Sequence, residues 1–388
     1  MNVATMKITT VIILGGHIQA LGLARQTHKM GVKVVLLLQD NFSVARYSNA
    51  VDEVMVVPEM DRLKESLQPF AGKQTMLFPT ADEYIEFLEA NYDELNTNFV
   101  LGIPSPECVK VFADKRATYQ FAEKNNIPHP KSWYPNNLDD IKKIAPTLTY
   151  PIVVKPAVMH TFHKAFGKKA YRCDNSHDLL ERCETIGQSF PIDGLVIQEF
   201  LAGGAESLYS YGATVINGQP IAWIMANRIR QNPMDFGNST TFAISCDIPQ
   251  IEELAKHILK EMKYNGLAEV EFMYDEKTST YKFLEINTRA WKWHSISSGM
   301  NYGFLSEWIH HINGEKCEFK PEFKQLAWIE RLTDYVVSLK SILSGRLTVK
   351  DIIKSHQQKK VNAVWSIKDP LPAFMYLMLS PILFVKRH

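Results

Sequence analysis

The chain has 388 residues, of which 46% are hydrophobic and 22% are charged, and its formal net charge at pH 7 is +1. This length allows two or three domains with buried cores. The near-neutral charge argues against a nucleic-acid partner, which would require a basic excess. Five cysteines without a C-x-x-C spacing predict reduced thiols in a cytoplasmic protein. We expect no secretory signal, because the N-terminus lacks a basic region followed by a long apolar run.

The first hundred residues alternate between short apolar runs and amphipathic stretches, a pattern typical of parallel strands connected by helices. The apolar runs are 10–14, 32–38, 76–79 and 99–104. They predict a doubly wound parallel sheet. The first run leads into Gly15-Gly16-His17 and then into a helical pattern from about Gln19 to Met30. Because the G-x-G-x-x-G pattern of dinucleotide sites is missing, we expect a tight turn whose helix N-terminus faces an anionic substrate.

Two lysines beyond this region are candidates for binding anions. Pro104-Ser105-Pro106 marks a boundary, after which Asp114-Lys115 begins a helix. Lys155 projects from the apolar run 150–156, where an unpaired ammonium group would be costly, so it needs an anionic partner. The basic stretch 160–169 then predicts either a loop that folds over phosphates or a set of solvated lysines.

The next apolar run, 194–204, ends in a glycine-rich segment. Within it, the backbone groups of Glu199, Phe200 and Leu201 fit the hydrogen-bonding edge of an adenine ring. Glu206 follows closely and is placed to accept hydrogen bonds from ribose hydroxyls. Each of these signals is weak by itself, but together with the two lysines they describe a nucleotide site.

The strongest chemical signal is a hairpin of two alternating runs, 267–274 and 281–289, which a polar segment joins. Folding this hairpin places Glu271 roughly opposite Glu285, and Asn287 shares the face of Glu285. Facing carboxylates repel unless a cation lies between them. Carboxylate and amide oxygens suit Mg²⁺, especially when phosphates complete its octahedron. The alternative is a hairpin with a solvated acidic face.

Three arginines are candidates for binding the reacting groups. Arg228 and Arg230 share a face if their segment is extended, and a hydroxyl-rich turn follows them. Guanidinium groups bind carboxylates in a bidentate manner, so we expect at least one of the two to contact substrate. Arg289 lies two residues after Asn287 and therefore on the same strand face, either beside the metal and the transferred phosphoryl group or simply at the surface.

Taken in order, these motifs resemble those of ATP-grasp enzymes, from about Val11 to about Gly314. The branch that they resemble is that of the carboxylate–amine ligases, which includes D-aspartate ligase and carbamoyl-phosphate-synthase-like proteins. The matching passages are 45–48, 114–115, 153–156, 196–200, 266–272 and 283–289. Five or six motifs in the right order are far more specific than any single one.

The resemblance implies an α/β fold in several parts. Residues 1–113 would form the doubly wound parallel-sheet domain, 114–202 a small lid, and 203–325 a mixed α+β part with the metal site. Residues 326–388 would be a helical extension outside the resemblance.

The resemblance also implies a role for each candidate residue. Lys115 and Lys155 would contact the phosphates of ATP, Glu199 to Leu201 would hold adenine, and Glu206 would bind ribose. Mg²⁺, or Mn²⁺ in its place, would be held by Glu271, Glu285 and Asn287. The loop 160–169 would close over the site and exclude water.

The implied reaction has two steps. A substrate carboxylate attacks the γ-phosphate of ATP to give an acyl phosphate and ADP, and an amine then displaces phosphate to form an amide. The substrates would be small amino-acid-like molecules or a cell-envelope precursor. Two alternatives remain open: an enzyme of the same fold that makes a carboxyphosphate-type or phosphorylated product, and a nucleotide-binding protein without turnover.

Two features fall outside these motifs. Trp291 and Trp293 depart from the resemblance and either belong to the core or shape a particular pocket. The stretch 373–385 is apolar but too short to span a bilayer, and it is followed by basic residues. It predicts either peripheral membrane contact through 373–388 or packing against the chain itself or a second subunit.

The histidines do not form a recognisable zinc-binding pattern.

Overall fold

The computed structural model describes residues 7–158, 166, 170–234, 237 and 239–386 of the chain. Within these residues the chain forms three β-sheets covered by helices. The predicted loop 160–169 lies outside the described residues apart from Phe166. Among the helices of the described part, none is long and apolar enough to cross a membrane.

The first sheet is parallel, with the strand order β3-β2-β1-β4-β5. Its strands are β1 (Thr10–Leu14), β2 (Lys33–Leu38), β3 (Glu53–Val56), β4 (Thr75–Pro79) and β5 (Val100–Leu101). The accompanying helices are α1 (Ile18–His28), α2 (Leu63–Leu67), α3 (Asp82–Ala90), α4 (Tyr92–Asn98) and α5 (Pro106–Ala113). The central strands are buried because helices cover both faces. The predicted doubly wound parallel sheet is confirmed, although β3 was not among the predicted strands.

The turn after β1 needs glycine at both of its first positions. Gly15 has a φ of +103°, and a Cβ atom there would lie 2.4 Å from Thr80 Oγ1. A Cβ atom on Gly16 would lie 1.9 Å from Ser43 Oγ. The turn stands where the strand order reverses between β1 and β4, which is where open α/β sheets leave a crevice at their carboxyl ends.

The second sheet is small and antiparallel, with the order β6-β9-β7-β8. Its strands are β6 (Ser132–Trp133), β7 (Ile152–Pro156), β8 (Tyr171–Cys173) and β9 (Leu195–Glu199). The helices of this part of the chain are α6 (Lys115–Lys124), α7 (Leu138–Ile144) and α8 (Ser176–Gly187). α7 and α8 pack on the sheet through a separate cluster of buried apolar side chains.

The third sheet has seven strands in the order β14-β13-β10-β11-β12-β15-β16. The strands are β10 (Leu208–Ile216), β11 (Gln219–Asn232), β12 (Ser239–Cys246), β13 (Gly266–Asp275), β14 (Thr280–Asn287), β15 (Ala327–Ile329) and β16 (Lys360–Asn362). The helices are α9 (Pro249–Glu261), α10 (Phe304–Ile312), α11 (Arg331–Leu343), α12 (Val349–Ser355) and α13 (Leu371–Lys386). The segment predicted as a helical extension, 326–388, therefore also adds two strands to this sheet.

Trp291 and Trp293 lie in the core between the first and third sheets. Both are almost fully buried, and they belong to the same apolar cluster as residues of α1 and α10. A Cβ atom on Gly212 of β10 would lie 2.1 Å from the Trp291 ring, so the indole packs directly on the strand backbone. Both rings are therefore core residues, which was one of the two alternatives for them. Trp293 has a polar contact as well, described below.

Candidate active site at the β13–β14 hairpin

The hairpin of β13 and β14 brings together the acidic residues of the site. The strands are antiparallel, with Glu271 opposite Glu285 and Glu269 opposite Asn287. This is the pairing that the alternating pattern predicts. Glu271 is 7% exposed because β10 covers its other edge, whereas the side chain of Glu285 is 40% exposed.

Each of the two facing carboxylates has a cation from another part of the chain. Lys115, the first residue of α6, places Nζ 3.2 Å from Oε2 of Glu285. Arg228 of β11 donates from Nη2 to Oε1 of Glu271 at 2.9 Å. The ammonium of Lys115 lowers the pKa of Glu285 to about 2, and Lys155 and Arg228 add to the effect. Glu285 is therefore ionised at any physiological pH.

A third carboxylate, Glu269, belongs to the same cluster and was missed by the sequence analysis. Its Oε1 accepts a hydrogen bond from the indole nitrogen of Trp293 at 2.7 Å, and its Oε2 accepts one from Asn287 at 2.8 Å. Burial, and then the charge of Glu271, raise the pKa of Glu269 to about 8. The sequence did contain a signal for Glu269. It lies two residues before Glu271, and residues two apart on a strand share a face.

The contacts of Asn287 fix the orientation of its amide. Nδ2 donates to Glu269 at 2.8 Å and to Glu271 at 3.0 Å. With the amino group held by two carboxylates, the carbonyl oxygen Oδ1 is the atom left to bind a cation. The cluster thus offers carboxylate and amide oxygens, the donor set that Mg²⁺ prefers.

The donor set alone does not enclose a metal ion. Among the described residues, no group of three or more His, Cys, Asp or Glu side chains is arranged to hold one. Mg²⁺ usually keeps several waters and is bound through one or two carboxylates plus substrate phosphates. Glu271, Glu285 and Asn287 therefore fit Mg²⁺ delivered with a nucleotide rather than a permanently bound ion.

Lys155 of β7 is positioned by neutral groups. Its Nζ donates to the Gln198 side-chain carbonyl at 2.7 Å and to the Tyr119 hydroxyl at 3.1 Å. In the described part of the chain, both of its hydrogen-bond partners are uncharged, so its positive charge is not neutralised by them. Because Lys155 also lowers the pKa of Glu285, its ammonium acts on the same cluster as Lys115.

The predicted adenine-binding segment follows β9. The carboxylate of Glu199 accepts hydrogen bonds from Lys282 at 2.9 Å and from the backbone N–H of Lys131 at 3.2 Å. Lys282 is also 2.9 Å from Asp275, so it ties the end of β9 to the hairpin. The Phe200 ring lies under the guanidinium of Arg172, with 4.7 Å from that group to the ring centroid.

The remaining residues of this segment lie beyond Phe200. Leu201 is buried. Glu206 is exposed and accepts a hydrogen bond from the Gly204 backbone at 3.2 Å, which holds it at the start of β10. Neither position conflicts with the binding of adenine and ribose.

Arg289 links the hairpin to the first domain. Its guanidinium binds both oxygens of Asp82, at 2.5 and 3.2 Å, and Asp82 is the first residue of α3. Burial alone would lower the pKa of Arg289, but Asp82, Glu269 and Glu285 together raise it. Arg289 is therefore close to the carboxylate cluster and faces the first domain.

Arg230 has different partners from Arg228. Its guanidinium forms two hydrogen bonds of 2.8 Å with the carboxylate of Asp334 in α11, and the register of β11 and β12 shifts on either side of it. Both side chains of this pair are buried, at 4% and 0% exposure. The structure thus brings Arg228 to the carboxylate cluster, whereas Arg230 holds α11 on the sheet. We retain no substrate role for Arg230.

Comparison with known proteins agrees with this geometry. Residues 114–304 match the family model of the carbamoyl-phosphate synthase L chain, ATP binding domain. D-aspartate ligase from Enterococcus faecium is 22% identical over 301 residues, which are 72% of this chain and 70% of that protein. Urea amidolyase from Saccharomyces cerevisiae is 24% identical over 333 residues, which are 78% of this chain but only 17% of that protein.

The fold is shared with solved structures at low sequence identity. The crystal structure of N5-carboxyaminoimidazole synthetase from Staphylococcus aureus superposes with a TM-score of 0.67 at 17% identity, over 89% of this chain and 88% of that chain. The fold is the ATP-grasp fold. By its fold and by the match of residues 114–304, the chain is similar to ATP-dependent carbon–nitrogen ligases of the carboxylate–amine type.

Proposed function

We propose that the chain uses ATP to convert a small carboxylate into an acyl phosphate and then couples it to a small amine, releasing ADP and phosphate. One observation carries the proposal. The facing carboxylates Glu271 and Glu285 are each held by a cation from a separate segment, Arg228 and Lys115. Such a cluster of opposite charges can exchange partners with a metal ion and with phosphates, which a structural ion pair has no reason to do.

The nucleotide would bind between the second and third sheets. Lys115 and Lys155 would donate to its phosphates, with Lys115 exchanging Glu285 for a phosphate oxygen. The backbone of Glu199, Phe200 and Leu201 would hold adenine, and Glu206 would bind ribose. The position of Lys282 supports this arrangement. Its ammonium group binds the side-chain carboxylate of Glu199, so the backbone groups of residues 199–201 are left to bind adenine.

Mg²⁺ would be held by Glu271, Glu285 and Asn287, and Mn²⁺ fits the same donors. When bound, the ion would neutralise the charge that develops on the transferred phosphoryl group. Trp293 and Glu269 would keep the carbonyl of Asn287 turned towards it, because they fix the amino group of the amide.

The carboxylate substrate would lie between the hairpin and the first domain. Arg289 faces that domain through Asp82, and Arg228 lies on the other side of Glu271. Either guanidinium can bind a carboxylate or the acyl phosphate in a bidentate manner. The N-terminus of α1, after Gly15 and Gly16, would add backbone N–H groups for an anionic end of a substrate.

The test is ADP release by the purified chain with ATP, Mg²⁺ and pairs of carboxylic acids and amines, including D- and L-amino acids. Release that requires one acid and one amine would establish the ligase and name its substrates. Release with bicarbonate in the absence of an amine would favour the carboxyphosphate-type product instead. ATP binding without release under any pair would favour the non-catalytic alternative.

We also propose peripheral membrane contact through residues 373–388, on the cytoplasmic side. The observation that favours it is the exposure of apolar side chains on α13, among them Phe374 at 60% and Leu377 at 58%. The other side of the helix packs on the protein through Tyr376. Contact of this kind would place the ligase beside a substrate that is itself attached to a membrane, while leaving the nucleotide site open to the cytoplasm.

A further inference from the structure

Exposed apolar side chains are concentrated at the C-terminal end of the described chain. Fifteen large hydrophobic residues are exposed in the described residues, and twelve of them lie after position 330. Scattered exposed apolar residues are ordinary on a protein surface, whereas a concentration of them marks a surface that binds something. We call the exposed side of 331–381 the C-terminal surface.

The exposed residues repeat at helical spacing on three helices. They are Leu339 and Leu343 on α11, Val349 and Ile353 on α12, and Phe374 and Leu377 on α13. Residues three or four apart share one face of a helix, so each helix presents an apolar face to the solvent. The apolar face of an amphipathic helix is normally covered by the protein or by a partner.

The three helices form one continuous surface. An apolar cleft of about 220 Å³ lies between α11 and α13 and is lined by Tyr335, Trp365 and Leu377. The ring of Tyr335 stacks on His356, which directly follows α12, with 6.3 Å between the ring centroids. The cleft and the stacked rings therefore connect the exposed faces of all three helices.

The same segment carries a strong positive charge. Residues 331–388 contain ten Lys and Arg residues and three Asp residues, whereas the whole chain has a net charge of only +1. The rest of the chain is therefore acidic. A basic excess confined to 58 residues is a property of this segment and not of the protein's general composition.

Two of the three acidic residues cannot offset this charge at the surface, because they are buried in ion pairs with the rest of the chain. Asp334 binds Arg230, and Asp369 binds Arg25 at 2.8 Å and the Ser48 hydroxyl at 2.6 Å. These contacts also attach the segment to β11 and to α1 of the first domain. The exposed apolar side chains therefore belong to a segment whose solvent-facing charges are mainly basic.

We propose that the C-terminal surface binds an anionic lipid bilayer. Apolar side chains on a basic background are the composition of helices that lie in a membrane interface, where the apolar face enters the acyl boundary and lysines meet the headgroups. A second copy of the chain is a poorer occupant, because a two-fold interface would place the two positive surfaces against each other. The inference extends the contact proposed for 373–388 to a whole surface and does not depend on the ligase chemistry.

The experiment is cosedimentation of the full chain with vesicles of phosphatidylcholine alone and with vesicles containing phosphatidylglycerol. We expect binding to the anionic vesicles, weakened by salt, and little binding to the neutral ones. Phe374→Glu with Leu377→Glu should weaken binding to the anionic vesicles about a hundredfold, because it removes apolar insertion and adds repulsion. Phe323→Glu is the control, since Phe323 is also exposed, at 52%, but lies outside the surface; it should bind like the wild type.

Folding and turnover separate this inference from the proposed reaction. All variants should keep the wild-type thermal midpoint and the same ADP release with soluble substrates, since the changed residues are exposed and distant in sequence from the site. Failure of the wild type to bind anionic vesicles at low salt would overturn the inference, whatever the enzyme assay shows. A concentration-dependent dimer, seen by light scattering and abolished in the double variant, would also overturn the inference. The surface would then bind a second copy of the chain.

Discussion

Two buried ion pairs start from the same strand, β11, and lead to different parts of the molecule. Arg228 binds Glu271 in the hairpin, and Arg230 binds Asp334 in α11. The first pair is open, because Glu271 also accepts from Asn287, and further charged groups surround it. The second is closed, because both oxygens of Asp334 are taken by the guanidinium and one also by Thr241. An open cluster can exchange partners with a ligand, and a closed pair can only hold two elements together.

We expect the largest effect on ADP release from a change in the open cluster. Glu285→Ala should lower Mg²⁺-dependent ADP release roughly a thousandfold or more, because a metal-binding carboxylate is lost where the phosphoryl charge develops. The thermal midpoint should fall only modestly, since Glu285 is 40% exposed, although Lys115, at 19% exposure, loses its ion-pair partner. Steady-state turnover and calorimetry together provide the measurement.

A control for Glu285 is available within the same hairpin. Glu276 lies in the exposed turn between β13 and β14, so Glu276→Ala should leave turnover unchanged. Wild-type rates in Glu285→Ala would refute the metal assignment. An equal loss in both variants would show that the hairpin as a whole, and not the carboxylate, is what matters.

The closed pair should respond in the opposite way. Asp334→Asn should destabilise the fold by roughly 3 to 5 kcal/mol, because it leaves the buried guanidinium of Arg230 without its counter-charge. Turnover per folded molecule should change little at temperatures where the variant is folded. Denaturant unfolding followed by tryptophan fluorescence measures the first quantity, and ADP release at low temperature measures the second.

An apolar replacement of both partners distinguishes a structural pair from a functional one. Arg230→Met with Asp334→Leu should recover most of the lost stability, since a buried pair can often be replaced by apolar side chains of similar volume. If the double variant is stable but inactive, Arg230 has a part in the reaction, and the distinction between the two pairs fails.

The same two arginines show what the sequence could and could not predict. The alternating runs of the hairpin were enough to place Glu271 opposite Glu285, because the side-chain period of a strand is two. The order of motifs was enough for the fold. The partner of Arg230 is Asp334, 104 residues later, and no local pattern connects them. Glu269 was available from parity but was passed over in favour of Glu271, because its link to Trp293 depends on the path of the chain after β14.

His294 is a third buried titratable group, and burial keeps its ring neutral. The ring of His294 is fully buried between the first domain and the third sheet, and its Nε2 lies 3.1 Å from the Gln19 carbonyl oxygen. Burial lowers the pKa of His294 to about 4. Because the folded state holds the neutral ring, its contribution to stability is complete above pH 6.5 and is lost as the pH falls through 4. The expected loss is about 3 kcal/mol across that window.

The measurement for His294 is a difference between two proteins. Unfolding free energies of the wild type and of His294→Gln are compared at pH 7.5 and at pH 4, so that other acid-sensitive groups cancel. The wild type should lose about 3 kcal/mol more than the variant between these pH values. Equal losses would mean that the ring does not need to be neutral for the two sheets to pack.

We expect the smallest effect at the ion pairs of Lys282, which are intermediate between the open cluster of Arg228 and the closed pair of Arg230. Lys282 binds Glu199 at the end of β9 and Asp275 in the hairpin, both at 2.9 Å, and therefore connects the second sheet to the third. Lys282→Met should raise the KM for ATP about tenfold with little change in kcat, because the side chain of Glu199 loses a charged hydrogen bond that holds the adenine-binding segment in place. Lys277→Met, at an exposed turn position of the same hairpin, is the matched control. A fall in kcat at constant KM would place Lys282 with the open cluster, whereas a loss of stability alone would make it a second closed pair.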